Sequence, residues 1–259
     1  MSDRIAAAFA NNSKRAALMP YLMGGYPSLD LSRDAGLAAI AAGADLLELG
    51  IPFSDPLADG PVIHAAATEA LAAGATPHGV LGVCEALAER VPVVLMVYAN
   101  LVLASGSERF AERATAAGAA GLIVPDLPYD EAAELRAACD AAGLALVPLV
   151  APTTTPERVR AIGEDARGFV YAVSLTGTTG ERDGLPEGLP QTVERIRAAT
   201  ELPVAVGFGI STSAQAALVA EFADGVIVGS RIVRAAGEGG PESVGAVVGE
   251  LAEALAKPR

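Results

Sequence analysis

The stretch AAIAAGADLLELG, residues 38–50, runs from a helix-like segment through Ala42 and Gly43 directly into a short apolar strand. Gly43 fits the end of a helix, where the left-handed conformation costs Gly little. The unit returns as ATAAGAAGLIVPD (114–126), ACDAAGLALVPLV (138–150) and AEFADGVIVGS (220–230), with Gly118 and Gly143 at the corresponding turn in two of them. Outward from these, further strands are read at ALMPYLMGG (17–25), VPVVLMVYAN (91–100), GFVYAVS (168–174) and LPVAVGFG (202–209), which brings the count to eight. All are near-continuous apolar runs without alternation, the pattern of parallel strands covered on both faces.

Helix signals fill the gaps. Thr76 before Pro77 and Thr155 before Pro156 read as N-caps with Pro at the first helical position. Leu135, Ala138, Cys139 and Ala142 form a core-facing stripe. Strict alternation of strand and helix, with no composition shift, favours a single (β/α)8 TIM barrel spanning residues 1–259 over an open doubly wound sheet. Residues 4–10 fit a short amphipathic N-terminal helix that caps one end. Two connections are longer than simple joints: IPFSDPLADGP (51–61) after the second strand and SLTGTTGERDGLPEGLP (174–190) after the sixth. In a barrel both belong to the C-terminal face, where sites are built from the loops that follow strands.

The chain has 259 residues, of which 52% are hydrophobic and only 4% aromatic, with no Trp, so the core is Ala, Val, Leu and Ile packed between close-set elements. The net charge of −13 is spread along the chain and disfavours nucleic acid as a partner. A small anion remains possible, because helix N-termini and backbone amides bind phosphate without basic side chains. Cys84 and Cys139 have no metal-ligand company and read as buried small hydrophobes in a reducing cytosol. No apolar run reaches signal-peptide length at the N-terminus or membrane-spanning length elsewhere, so a soluble cytoplasmic protein is expected.

Glu48 ends the second strand among Leu46, Leu47, Leu49 and Ile51, where a charged carboxylate costs several kcal/mol to bury. Asp59, in the following loop, can fold back over the same mouth. Two carboxylates in unlike surroundings can divide acid and base work; the plainer reading of Glu48 is a barrel-layer residue satisfied by a neighbouring hydroxyl. For Asp55 and Asp59, turn formation and capping are the ordinary alternatives. GFGIS (207–211) and GSRIV (229–233) follow the last two strands and read as a phosphate cradle, or else as tight turns of small residues. Tyr98 and Tyr171 end strands three and six and could face the mouth or simply pack. Ser54, Ser174 and Ser230 lack a His placed for a triad, since His64 and His78 lie on helix-like segments. The only lysines, Lys14 and Lys257, end no strand, which disfavours Schiff-base chemistry, and no metal cluster is visible.

ELGIPFSDPLADGP, VYANLV, VPDLP, SLTGTTG, GFGIS and VGS occur in this order, and with them the chain resembles the alpha subunit of tryptophan synthase over nearly its whole length. The resemblance implies a barrel that cleaves indole-3-glycerol phosphate to indole and glyceraldehyde 3-phosphate by a retro-aldol reaction, without cofactor or metal. It implies that Glu48 protonates the departing indole carbon and takes the proton of the glycerol hydroxyl, and that Asp59 receives the indole N–H. Tyr171 positions Glu48; Gly180, Phe208, Gly209, Ile210, Gly229 and Ser230 contact phosphate or ring; Tyr21, Ile63, Leu95 and Tyr98 line the indole pocket; Thr179 closes over Asp59. The resemblance further implies an αββα assembly in which indole passes to a β subunit carrying pyridoxal phosphate, with Pro52, Asp55, Asn100 and Asp126 at the interface. Tyr21 stands where many members have Phe, and SLTGTTG where many have an Arg. Two other readings are another phosphosugar barrel and a subunit that only activates its β partner; the retained Glu48 and Asp59 argue against the latter.

Overall fold

The apolar runs fold into short parallel strands, each buried from both sides. The computed structural model describes residues 3–173, 186, 188–207 and 209–257. Its strands are β1 (Ala17–Met23), β2 (Leu47–Gly50), β3 (Val93–Met96), β4 (Gly121–Ile123), β5 (Ala145–Leu146), β6 (Leu149–Val150), β7 (Val170–Val173), β8 (Val204–Gly207) and β9 (Gly225–Val228). They pair in parallel in the order β5-β4-β3-β2-β1-β9-β8-β7-β6.

The two ends of that order, β5 and β6, are adjacent in the chain, so the sheet closes on itself. They are halves of the single fifth strand expected from the sequence. Pro148 lies between them and has no N–H to give to a ladder, which divides the strand. Continuity survives on either side: Val147 N–H donates to the Leu122 carbonyl at 2.8 Å, and Tyr171 N–H donates to the Pro148 carbonyl at 3.0 Å.

Alternation within each strand, invisible in the sequence because both faces are apolar, separates two cores. Met19, Tyr21, Met23, Val94, Met96, Ile123, Phe169, Tyr171, Ala205 and Ile227 fill the barrel interior. Leu18, Leu22, Leu47, Leu49, Leu95, Leu122, Val170, Val206 and Val226 face the surrounding helices. The N-terminal helix Asp3–Ala10 closes the bottom with Ile5 and Phe9. Room for them comes from glycines: a Cβ at Gly168 would stand 3.1 Å from the Ile5 Cδ1, and one at Gly225 would stand 2.8 Å from the Phe9 ring. Phe9 in turn packs on Phe169, with centroids 5.6 Å apart.

The cap signals hold. Thr76 and Thr155 accept from the amides of Gly79 and Arg158, each with Pro opening its helix. Gly43, Gly118 and Gly143 all take positive φ at helix ends. Cys84 and Cys139 are buried and unbridged, and burial pushes both thiols up to about 12. Among the described residues, no helix is long and apolar enough to cross a membrane.

The start of β2 is anchored by an ion pair that the sequence reading passed over. Asp45 accepts from Leu18 N–H at 2.7 Å and from Lys14 Nζ at 2.9 Å, and both side chains are largely buried. Asp45→Ala leaves the ammonium and a strand amide without their acceptor. The expected loss is about 3 kcal/mol of unfolding free energy, read from denaturant titration.

Candidate active site

β2 places Leu47 and Leu49 toward the helices and therefore turns Glu48 inward. Its register neighbours are Tyr21 on β1 and Val94 on β3. The side chain is 1% exposed, and neither carboxylate oxygen has a hydrogen-bond partner among the described residues. A layer residue satisfied by a neighbouring hydroxyl would show such a bond, and Glu48 shows none. Burial first, and then the nearby charge of Asp59, push its carboxyl up to about 8, so it keeps its proton at neutral pH.

Two glycines let tyrosines crowd this point. A Cβ at Gly50 would collide with the Tyr21 hydroxyl, and a Cβ at Gly207 with the Tyr171 hydroxyl. Both phenols are buried, and both titrate well above the ordinary tyrosine value, burial being the main cause and the Glu48 charge a lesser one.

Asp59 sits in the loop between β2 and the helix Pro61–Ala72. Burial raises its carboxyl to about 6, against a hydrogen bond from Tyr98 and the proximity of His64, which both lower it. Tyr98 pins this loop in three places. Its hydroxyl accepts from Ala58 N–H at 3.1 Å and bonds Asp59, and its ring stacks on Phe53 with centroids 5.3 Å apart. The two acids therefore differ: one is neutral on a strand, the other ionised above about pH 6 on a tethered loop.

Both line one cavity, together with Tyr21, Ala58, Ile63, Met96, Pro125, Tyr171, Gly209, Ile210, Ile227, Gly229 and Ser230. Gly209 takes φ 83°, and a helix begins at Ser230 and runs to a break at Gly240, where φ is 62°. The first amides of that helix have no intrahelical acceptor and suit an anion. The amides of Ser211 and Thr212 do not, because the Gln215 side chain already accepts from both, at 2.8 and 3.1 Å. A more open groove lies between Leu127, Tyr129 and the segment Thr153 to Arg158; it shares Pro125 with the cavity, but neither acid lines it.

Several sequence assignments shift. Leu95 does not line the cavity: it is paired with Leu49 and Leu122 on the helix-facing side, and Met96 takes the inward place. A one-residue slip in a strand reverses the face. Tyr98 lies beyond β3, which ends at Met96, and caps the helix Ala99–Ser105 outside the cavity lining. Of the four interface positions, Asp55 and Asn100 are exposed, Asp126 is half-buried with its carboxylate accepting from Ala99 N–H at 2.9 Å, and Pro52 is buried. Thr179, Gly180, Phe208 and most of the 174–190 connection lie outside the described residues. Ala58, Met96, Pro125 and Ile227 were missed; β3 and β9 are apolar on both faces, so the sequence does not tell which of their residues point inward. Among the described residues, no group of three or more His, Cys, Asp or Glu could hold a metal ion.

Comparison with known proteins gives the same constellation a lineage. The family model described as tryptophan synthase alpha chain matches residues 7–255. The chain belongs to the tryptophan synthase alpha chain family. Within that family it is 49% identical to the tryptophan synthase alpha chain of Gloeobacter violaceus over 96% of this chain and 91% of that one. It is 48% identical to that of Carboxydothermus hydrogenoformans over 89% and 88%. Among solved structures, Mycobacterium tuberculosis tryptophan synthase superposes with a TM-score of 0.93 at 41% identity, covering both chains fully. The alpha subunit from Legionella pneumophila gives 0.87 at 37% identity, covering 98% and 99%. Both are barrels of the kind that the sequence predicted.

A carboxyl held neutral by burial carries a stability signature. The unfolded chain releases the Glu48 proton near its ordinary value of 4.5, whereas the folded chain holds it to about 8, so folding loses stability as pH rises between them. Glu48→Gln removes that dependence. Relative to the unsubstituted protein it is expected to gain roughly 3 kcal/mol on going from pH 5 to pH 8, measured by chemical denaturation at both.

Proposed function

We propose that the chain cleaves indole-3-glycerol phosphate to indole and glyceraldehyde 3-phosphate and passes the indole to a β subunit in an αββα assembly. The observation that carries this reading is the buried Glu48, with no hydrogen-bond partner among the described residues, lining one cavity with the loop-borne Asp59; burial keeps the first protonated at neutral pH and leaves the second ionised above about pH 6. Cleavage of the bond between indole carbon 3 and the glycerol chain needs a proton delivered to that carbon. Glu48 holds one at neutral pH and donates it, and Asp59 accepts a hydrogen bond from the indole N–H as positive charge develops on the ring. The Glu48 carboxylate then takes the proton of the adjacent glycerol hydroxyl. The carbon–carbon bond breaks, its electrons return to the ring, and the hydroxyl carbon leaves as the aldehyde, so Glu48 ends as it began.

Tyr171 positions the Glu48 carboxyl, and Tyr21, Ile63, Met96 and Ile227 offer a largely apolar bed for the ring. Gly209, Ile210, Gly229 and Ser230 stand where backbone amides can take the phosphate. The chain's own residues supply acid, base and anion contacts, so no cofactor is assigned to it and pyridoxal phosphate is expected only on the β subunit. Exposed Asp55 and Asn100, with Leu57 at 82% exposure on the loop after β2 and Leu103 at 61% on the helix Ala99–Ser105, support a partner surface around the mouth. The two unbridged thiols support a cytoplasmic setting.

Glu48→Gln and Asp59→Asn are each expected to abolish indole release while leaving the circular dichroism spectrum unchanged. Turnover like that of the unsubstituted chain in either variant overturns the assignment. The kcat/KM of the unsubstituted chain should form a bell: activity falls below about pH 6 as Asp59 gains a proton and above about pH 8 as Glu48 loses one. A subunit retained only to activate its partner makes no indole at any pH, alone or with β.

A further inference from the structure

Tyr98 and Ala99 are consecutive, yet they hold two different loops. Tyr98 binds the loop after β2 through Ala58, Asp59 and Phe53. Ala99 is held by the loop after β4, where Asp126 Oδ1 accepts its N–H at 2.9 Å. Between β3 and the helix Ala99–Ser105 the ladder ends at Val97, whose N–H donates to the Ile123 carbonyl at 3.0 Å. The chain then turns at Tyr98, with φ −76° and ψ 144°, into the helix. Once the ladder has ended, the Asp126 carboxylate is the contact that fixes where this turn sits, and the turn carries the phenol.

We propose that Asp126 is a positioning residue for Asp59, acting through the Ala99 amide and the Tyr98 hydroxyl. It does not touch the cavity: the lining includes Asp59 and Pro125 but not Asp126. The proposal rests on the reading of Asp59 as the group that meets the substrate, and it links the loops after β2, β3 and β4 into one unit. Without Asp126 the turn at Tyr98 loosens, the phenol leaves the Asp59 carboxylate, and the loop from Phe53 to Asp59 loses its anchor.

The test uses opposed signs. The groups facing Asp59 are Tyr98, His64 on the helix Pro61–Ala72, Glu48 on β2 and Tyr21 on β1, while the Asp126 charge bears on Tyr98. Loss of the Tyr98 hydrogen bond raises the titration of Asp59; simple removal of a neighbouring negative charge lowers it. Asp126→Asn removes the charge and keeps an acceptor for Ala99, whereas Asp126→Ala removes both.

The Asp59 carboxyl is followed by carbon-13 NMR in the full-length chain without substrate, and turnover is measured beside it. Asp126→Ala and Tyr98→Phe are expected to move the Asp59 titration and the acid limb of kcat/KM to higher pH. For Asp126→Ala, kcat falls about tenfold, as for a modest misplacement of a catalytic group. Asp126→Asn should hold both near the unsubstituted values. An Asp126→Ala titration that stays put or moves down, or equal behaviour of the Ala and Asn variants, overturns the proposal. If the unsubstituted chain makes no indole while the titration pattern appears, the catalytic reading fails and the positioning link stands. If indole is made and the titration does not respond, the positioning link alone fails.

Discussion

A carboxyl group with no hydrogen-bond partner among the described residues, placed inside an apolar barrel, is the constraint around which the rest of this molecule is arranged. Glu48 tolerates its place only as the neutral acid, and it stays neutral only if water and cations are kept away. The closed sheet, the inward Met, Val and Ile side chains and the two tyrosines beside it maintain that dryness. Gly50 and Gly207 belong to the same arrangement, since any side chain there would displace a phenol from the acid. The protein thus accepts an unfavourable interior polar group in return for a proton available at neutral pH.

The second acid is governed differently. Asp59 belongs to a loop with no regular structure, and its position comes from Tyr98 and not from a ladder. The strand fixes Glu48 to within the stiffness of the sheet, whereas Asp59 is as well placed as the loops that hold Tyr98. That division suits a site in which one group must be fixed and the other must admit a substrate before closing on it.

The sequence was most informative where a residue contradicted its surroundings. Glu48 among leucines, glycines after apolar strands and Thr-Pro helix starts each carry a physical cost or preference that can be read without coordinates. The ordered loop motifs carried the resemblance, and the family is the one that it implied. What stayed illegible follows from burial on both faces. In β3 every residue is apolar, so nothing in VVLM says whether Leu95 or Met96 points inward, and the reading chose the wrong one. Pro148 was in plain view, but its division of the fifth strand depends on which neighbours need its amide. The hydrogen bonds of Tyr98 and Asp126 join residues 40 and 27 positions apart and leave no local pattern.

The helix Asp3–Ala10, described above as a packing element, also decides how molecules can travel. With Ile5 and Phe9 seated among Gly121, Gly168 and Gly225, the barrel is a blind-ended vessel. A small apolar product that would otherwise diffuse through a thin hydrophobic wall finds a filled floor beneath it. Among the described residues, the end left for escape is the mouth, which the loop of Asp59 borders. Traffic in both directions therefore shares one doorway, and whatever covers that doorway controls whether indole is lost to bulk water or handed on.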